Sequence, residues 1–381
     1  KWIKAHGGHR NMSFSDYTLN NITYLGGGLE LTPGNVRFAT MVGKLASPEP
    51  QDLALLEPNL PKYERVGWST KVGYGTAKNF LDFIVLKAKD NEESIPTLDP
   101  QVVFPNENMV VGLNGQTKFA KNMSLNVEYA GSSTTTNIND GETGNSKFFF
   151  PSFITKERNS TVYGKMMDAD LNYNAKEFNF AVKYQYIEPD YQSLGAYFFN
   201  QDIENFLINT VWTMFGRKLQ FDGNFGIQRD NLDNSKPSTL SRIIGSAHAN
   251  YHAGDFNLAM NYSNYTTDIA YVLDSDLDSL NAVVITQDLT LNSTYSILTQ
   301  AEDQHNFTLT GSYQDVTDEV TDPDRSAASK MLNLSFVYSY GMKNGNTSIN
   351  TNLNYNENEL SLLKANRVGA GIGISQNLLE N

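Results

Sequence analysis

Apolar and polar residues alternate along short stretches over the whole length of the chain. The clearest stretch is residues 178–186, whose apolar row consists of Phe178, Phe180, Val182, Tyr184 and Tyr186. Successive side chains of a β-strand point to opposite faces of a sheet, so this period of two predicts strands with one apolar and one polar face. Segments of about ten residues with this pattern are typical of strands that cross an outer membrane.

The connections between these segments alternate between short and long. The short ones carry the Gly, Asn and Asp residues that tight hairpins require, and they fall at 33–35, 77–79, 120–122, 174–176, 216–218, 253–255 and 343–346. The long ones cover residues 46–61, 90–107, 132–159, 187–202, 229–238, 267–284 and 315–328. Short turns on one rim and long loops on the other are the outer-membrane arrangement, in which the short turns are periplasmic.

Aromatic residues recur beside the short turns. Because amphipathic rings favour the level of the lipid headgroups, this recurrence predicts a membrane-interface girdle formed by Tyr74, Phe119, Tyr173, Phe178, Phe215, Tyr251, Phe256, Tyr295, Phe307 and Tyr340. A soluble sandwich or propeller is the alternative. It gives no reason for aromatic residues at both ends of the apolar rows, and the chain shows no blade repeat of roughly 40 residues.

These patterns predict an all-β fold, a transmembrane antiparallel up-and-down β-barrel of roughly 18 strands, with a range of about 16 to 20. We expect residues 1–381 to form a single transmembrane barrel domain with short periplasmic turns and long extracellular loops. Residues 1–4 read as the middle of a strand, and residues 376–381 read as the end of a strand that enters another turn. An alternative expectation is therefore that the chain is part of a larger barrel, which leaves open whether it closes the barrel alone.

Composition narrows the class of protein further. The chain has 381 residues, no cysteine, a formal net charge of −13 and a mean hydropathy of −0.42. No apolar run reaches the roughly 18 residues of a membrane helix. The lack of cysteine excludes disulfides and thiolate metal sites. The acidic balance argues against nucleic acid as a partner, since that needs a basic face.

The chain thus resembles a porin-sized outer-membrane β-barrel over nearly its whole length, although it lacks the terminal aromatic residue that such barrels usually carry. The resemblance is one of architecture and includes no signature motif. It implies a location in the outer membrane of a Gram-negative cell envelope, in contact with outer-membrane lipid and lipopolysaccharide. Other outer-membrane or surface proteins are further expected partners.

Charged residues of both signs occur in the polar rows. The candidates for lining the lumen are Arg37, Arg65, Lys71, Glu128, Asp168, Asp170, Lys183, Asp222 and Arg367. A barrel of about 16 to 18 strands is wide enough for an aqueous channel. Rings of charge set ion preference, and the mixture of signs here predicts weak selectivity. The alternative is that these side chains only solvate the lumen and pair with each other.

Several long loops are apolar, which is typical of contact surfaces. The candidates for binding a partner are Leu53, Leu55, Leu56, Phe148, Phe149, Phe150, Tyr197 and Phe198. Such loops could fold into the lumen, dock another protein or lean on the outer leaflet, and the sequence does not choose among these.

Little in the sequence indicates catalysis. The five histidines show no defensible arrangement with serine and acid, so we predict that the protein is not an enzyme and has no cofactor. Asp274, Asp276 and Asp278 have the opening spacing of a calcium loop, but Ser279 and Ile285 replace the glycine and glutamate of that motif. A weaker Ca²⁺ site in the acidic loops is the remaining metal hypothesis.

Two functions follow from this architecture. The first is a pore or channel for hydrophilic solutes. The second is a barrel subunit of a larger outer-membrane complex for secretion, assembly or surface anchoring, whose apolar loops bind partner proteins. An open lumen favours the pore, and a filled lumen favours the complex.

Overall fold

The computed structural model describes residues 2–51, 59–96, 103–143, 154–196, 198–271, 282–319, 326–343, 347–360 and 363–376. Apart from one short 3₁₀ turn at Glu92–Ser94, the elements are strands. They are β1 Ile3–Met12, β2 Ile22–Leu31, β3 Val36–Ala46, β4 Glu64–Gly75, β5 Phe80–Asn91, β6 Glu107–Ala120, β7 Met123–Thr135, β8 Thr161–Asn174, β9 Phe178–Ile187, β10 Ile203–Met214, β11 Leu219–Arg229, β12 Ser238–Ala253, β13 Phe256–Tyr271, β14 Ala282–Leu298, β15 Gln304–Asp318, β16 Ser329–Gly341, β17 Thr347–Leu360 and β18 Leu363–Gln376.

All of these strands belong to one 18-stranded sheet. Strands that follow each other in the chain are neighbours in the sheet from β2 to β9 and again from β10 to β18, and β1 pairs with β2. Wherever the register is defined, these neighbours are antiparallel, as β12 with β13 and β16 with β17 show. The predicted fold class, with up-and-down antiparallel strands and a strand number of roughly 18, is confirmed.

Six of the seven predicted short connections join consecutive described strands, and residues 344–346 of the seventh lie outside the described residues. Gly34 and Gly254 have positive φ angles of 62° and 61°, the left-handed conformation that glycine adopts without steric cost and that tight hairpins need. Gly254 joins β12 to β13, where Ala253 pairs directly with Phe256. Within the described ranges, no helix is long and apolar enough to span a membrane.

The chain divides into two compact units. The N-terminal unit contains residues 1–172 and 183–204, and the C-terminal unit contains residues 173–182 and 205–381. Each unit is described on its own below.

One face of the sheet in the N-terminal unit is packed against other residues of that unit, and we call it the inner face. In β5, Asp82, Ile84 and Leu86 are buried, whereas Leu81 and Phe83 between them are 59% and 46% exposed. The inner face therefore carries aliphatic as well as polar residues. The buried cluster consists of Met12, Phe14, Leu19, Tyr24, Ala39, Met41, Ile84, Leu86, Ala88, Val110, Ala130, Met166, Ile187 and Tyr191.

This cluster corrects the prediction that the inward rows are polar throughout. Strand β5 reads FLDFIVLKAKDN, with a nearly continuous apolar run from Phe83 to Leu86. Strands that are covered on both faces read as such runs rather than as a strict alternation. The exposed and the inward side chains are both apolar here, so the inner face has to be covered by other protein.

The C-terminal unit keeps the alternation more closely, most clearly in β15 and β17. On the apolar face of β15, β16 and β17, Leu309, Leu334 and Leu353 are 45%, 42% and 51% exposed. The opposite face, which we call the polar face, is lined mainly by Asn, Ser and Thr side chains. This unit therefore presents both faces of its sheet to its surroundings.

Candidate functional site

The inner face of the N-terminal unit carries an ion-pair cluster at one end of β3, β4 and β5. Asp82 is fully buried and accepts two hydrogen bonds from the Arg37 guanidinium, at 2.7 and 2.8 Å. The Lys71 ammonium lies 3.8 Å from the same carboxylate. Arg37 also stacks 4.0 Å above the ring centre of Phe80. The two cations compensate this carboxylate for the hydrogen bonds with water that it loses on burial.

A second pair closes the other end of the same strands. Arg65 donates to both oxygens of Asp90, at 2.7 and 3.1 Å. Asp90 also accepts from the backbone N–H of Asn106, at 3.0 Å. The aliphatic row of β5 therefore lies between two buried ion pairs, and each pair has internal partners for its charge.

Between β1 and β2, residues 13–20 fold onto the inner face, and we call them the first strap. The backbone N–H groups of Asp16 and Tyr17 donate to the Glu128 carboxylate, at 3.2 and 3.1 Å. The Tyr17 hydroxyl donates to Asp168, at 3.1 Å, and the Lys183 ammonium lies 3.0 Å from that carboxylate. The Gln185 side chain of β9 also donates to the Tyr17 hydroxyl, so the first strap is attached to β7, β8 and β9.

Residues 188–196 and 198–201, between β9 and β10, form the second strap. Tyr191 is completely buried, and its hydroxyl donates to the carbonyl of Tyr17, at 2.7 Å. The Ser193 hydroxyl donates to the carbonyl of Thr18, at 2.5 Å, and the backbone N–H of Asn20 donates to Gly195, at 2.9 Å. The two straps therefore bind each other directly.

The second strap is also bound to the strand wall. The buried Asn108 side chain donates to the carbonyl of Gln192, at 2.9 Å, and accepts from the N–H of Leu194, at 3.0 Å. Burial raises the pKa of the Tyr191 hydroxyl well above its usual value, so that this group stays protonated and remains a donor. The straps and the strands satisfy each other's polar groups and fill most of the inner face between them. A smaller concavity of ≈ 280 Å³ remains beside the first strap, where Asn114, Asn126 and Asp170 belong to its lining.

The polar face of the C-terminal unit is different, because it surrounds an open concavity. The concavity has a volume of ≈ 590 Å³. Its lining contains Asn261, Thr290, Asn292, Thr310, Ser312, Asn333, Ser335, Asn354, Asn356, Arg367 and Gly369, with Leu291, Gly311 and Leu334 at its margin. Amide and hydroxyl groups dominate this wall, and they can donate and accept hydrogen bonds to solvent or to a solute.

The lumen-lining candidates are divided between the two units. Arg37, Arg65, Lys71, Glu128, Asp168, Asp170 and Lys183 lie in the N-terminal unit, where Lys183 also lies 4.0 Å from Asp170. Asp222 and Arg367 lie on the polar face of the C-terminal unit, opposite His248 and Asn356. Arg367 alone among the nine lines the open concavity. The other charged candidates pair mainly with protein groups.

The girdle candidates lie at the short-turn ends of the strands. Tyr74, Phe119 and Phe215 are exposed by 67%, 56% and 70%. Ring contacts link Tyr173 with Phe178, at 6.1 Å, and Tyr251 with Phe256, at 6.3 Å. Direct cross-strand pairing aligns Phe256 with Tyr295, Tyr295 with Phe307 and His305 with Tyr340. The membrane level of these rings remains a prediction.

The apolar-loop and metal candidates fall mostly outside the described residues. This applies to Leu53, Leu55, Leu56, Phe148, Phe149, Phe150 and Tyr197, and to Asp274, Asp276 and Asp278. Phe198 is described and is 93% exposed. Among the described residues, no group of three or more His, Asp or Glu side chains is placed to hold a metal ion.

Sequence reasoning missed the residues that fill the N-terminal unit. Asp82 and Asp90 sit at the ends of an apolar run, a pattern that could have indicated buried ion-pair partners for Arg37 and Arg65. Tyr17 and Tyr191 lie in connections with no periodic pattern. Their inward position depends on contacts between segments about 170 residues apart, which a local pattern does not encode.

Comparisons with known proteins yield structural neighbours only. No protein-family model matches the chain, and no curated protein matches it significantly. The crystal structure of Acinetobacter baumannii OccAB3 matches with 13% identity over 94% of this chain and 93% of that chain, at a TM-score of 0.32. OmpT, an outer membrane protein of Vibrio cholerae, matches with 12% identity over 91% and 99%, at a TM-score of 0.29.

A bacterial polysaccharide outer membrane secretin matches with 8% identity over 91% of this chain and 98% of that chain, also at a TM-score of 0.29. At these scores the assignment depends on the chain's own features. They are the 18 antiparallel up-and-down strands and an apolar face exposed along its length. Within lipid, a β-sheet can pair all of its backbone N–H and C=O groups only if it closes into a barrel. Barrels with short turns on one rim and longer loops on the other are the arrangement found in outer membranes. The protein is an outer-membrane β-barrel.

Proposed function

We propose that the protein is a channel for hydrophilic solutes and that the solutes pass along the polar face of the C-terminal unit. The observation that carries this proposal is the open concavity on that face, lined by amide and hydroxyl side chains. A wall of this chemistry replaces part of the water around a polar solute without holding it tightly, as permeation requires.

The opposite face of the same strands supports a membrane setting. Leu309 and Leu353 are largely exposed, and Phe307 and Tyr295 pair near the short-turn ends. Apolar side chains exposed on one face and neutral polar side chains on the other fit a wall between lipid and water.

The test is single-channel recording of the purified full-length protein in a planar bilayer. Steady openings are expected. Asn356→Trp places a large ring on the polar face and should lower the conductance. Leu353→Trp, on the exposed apolar face of the same strand, is the matched control and should leave it unchanged. Silence from protein whose fold is verified by circular dichroism would overturn the proposal.

One observation favours a second function, a subunit of a larger outer-membrane complex. The N-terminal unit is filled by its two straps, as expected for a structural barrel wall rather than for a pore. Under this alternative, verified folded protein stays silent in the bilayer, and mild detergent extraction yields a species larger than the 42.5 kDa chain on native gels.

A further inference from the structure

The polar side chains of the C-terminal unit form cross-strand rungs. Each member of a rung is the direct register partner of the next, and the central rung runs through Asn261, Thr290, Ser312, Asn333, Asn356 and Arg367. The rung beside it runs through Asn292, Thr310, Ser335, Asn354 and Gly369. Paired residues of neighbouring strands lie about 4.5–5.5 Å apart, so side-chain hydrogen-bonding groups repeat at short intervals across the six strands of the central rung.

Hydrogen bonds within the central rung orient its amides. Asn261 donates to the Thr290 hydroxyl, at 3.0 Å. Asn356 donates to the Asn333 carbonyl oxygen, at 2.7 Å, and Asn333 donates to the Ser312 hydroxyl, at 3.1 Å. A carboxamide has two N–H donors and an oxygen with two lone pairs. One donor of each amide is used in the rung, so the second is available to a ligand in a fixed direction.

Both rungs are almost neutral. Arg367, at the end of the central rung, is their one ionised member. In the next rung outward, Asp288 accepts a hydrogen bond from Gln314, at 2.8 Å. Ion preference in pores comes from rings of charged side chains, and an ion that loses water without a counter-charge is strongly disfavoured. Away from Arg367, this surface therefore does not favour ions.

Glycines of β18 leave space on the same face. A Cβ atom added at Gly369 or at Gly373 would meet no heavy atom within 4 Å. Gly369 lines the concavity, whose volume of ≈ 590 Å³ falls within the roughly 300–1,000 Å³ of small-molecule sites. A multi-ring solute thus has room to lie across the rungs.

We propose that these two rungs form a binding site for neutral polyhydroxylated solutes of the oligosaccharide class. Each sugar hydroxyl both donates and accepts a hydrogen bond, and the rungs present donors and acceptors in alternation. The proposal rests on the channel function proposed above, because it names the class of solute that the channel admits.

The test is equilibrium binding to the folded full-length protein in detergent, measured by isothermal titration calorimetry. The probes are maltohexaose, an acidic hexasaccharide of galacturonate, and a neutral hexapeptide of serine and glycine. Maltohexaose should bind at least tenfold more tightly than either of the others. Equal affinity for the acidic sugar, stronger binding of the peptide, or no binding of maltohexaose would overturn the proposal.

Substitutions in the rungs test whether maltohexaose binds there. Asn333→Leu removes the amide that joins two rung hydrogen bonds and should weaken maltohexaose binding at least tenfold. Gly369→Leu fills space in the same concavity, two strands away on β18, and should weaken binding similarly without removing a hydrogen bond. Asn126→Leu, on the inner face of the N-terminal unit, is the matched control. Unchanged affinity in both rung variants would contradict the assignment.

Bilayer recordings separate the failure of this inference from the failure of the channel function. Protein that conducts ions but does not bind maltohexaose keeps the channel and loses the saccharide site. Protein that binds maltohexaose in an Asn333-dependent manner but stays silent keeps the site and loses the channel.

Discussion

The N-terminal and C-terminal units are built from the same kind of strand, yet they treat the face turned away from lipid in opposite ways. In the N-terminal unit this face carries Ile84, Leu86 and the buried Asp82, and two straps fill the space above it. In the C-terminal unit the corresponding face carries neutral amides and hydroxyls around an open concavity.

Two strands show the physical origin of this difference. In β5, the central residues 83–86 are apolar on both faces of the strand. If the inner face were left in water, the free energy gained by burying its apolar side chains would be lost. In β17, residues Asn350, Asn352, Asn354 and Asn356 occupy one face. Those amides remain well solvated without a cover. An inner face of aliphatic residues requires a filling, whereas an inner face of amides permits a water-filled space.

The strongest way to break the comparison is to remove charge from the filled side. Asp82→Ala leaves Arg37 and Lys71 without their buried carboxylate, and removal of one partner from a buried pair costs about 3–5 kcal/mol. Asn333→Ala in the open unit should cost less than about 1.5 kcal/mol, the upper range of a typical net hydrogen bond. Urea unfolding in lipid vesicles measures both values. Equal losses would show that the two faces are equivalent.

A pair of glycines provides the second test. At Gly164 of β8, an added Cβ would lie less than 3.0 Å from the backbone nitrogen of Tyr191, whereas at Gly369 it would meet nothing within 4 Å. Gly164→Ala should therefore destabilise the protein by about 1–3 kcal/mol through overpacking. Gly369→Ala should stabilise it by about 0.5–1 kcal/mol, because alanine loses less backbone entropy in a strand. Unfolding midpoints that move in the same direction would contradict this expectation.

The sequence predicts the repeated part of this architecture well. Alternation at 178–186 and turn residues such as Gly254 are local signals, and they correctly give strands and hairpins. The girdle aromatics also lie near the short-turn ends, because their position depends on the same local register.

Local sequence patterns do not predict the segments that cover the inner face of the N-terminal unit. Residues 13–20 contain Phe14, Tyr17 and Leu19 without periodicity, and only their contacts with Tyr191 and Glu128 place them inside. Loop closure over such sequence distances depends on tertiary packing. The open site was missed for another reason. Sequence reasoning favoured charged residues as lumen candidates, while the concavity is lined mainly by Asn, Ser and Thr.

A smaller effect is expected from the contact between the straps. Tyr191→Phe removes the hydroxyl that donates to the Tyr17 carbonyl and keeps the buried ring. The expected loss is about 1 kcal/mol, the usual net value of a hydrogen bond. Tyr313→Phe is the matched control in the C-terminal unit, since its hydroxyl donates to Asp315 at an exposed position. Vesicle unfolding should show a loss for the first variant and no resolvable change for the second.

The smallest expected effect concerns an exposed ion pair in the N-terminal unit, for contrast with the buried one at Asp82. Glu142 lies 2.7 Å from the Lys156 ammonium and 3.7 Å from Arg158. The hydrogen bond from Lys156 lowers the pKa of Glu142 below its usual value of 4.5. A lowered pKa in the folded state means that the pair contributes above pH 4.5 and is lost as the pH falls through the folded-state pKa.

Because Glu142 is solvent-exposed, screening keeps this contribution small, and it should be local. The hydrogen bonds from Thr143 to Glu157 and from Asn159 to Gly141 flank the pair. Amide exchange at Thr143 and Asn159, corrected for its intrinsic pH dependence, should accelerate modestly below pH 4.5. In Glu142→Gln the exchange should lose this dependence. The contradicting outcome is a global loss of stability over the same pH range in the wild-type protein but not in the variant. It would show that this exposed ion pair stabilises the fold as much as the buried pair at Asp82 does.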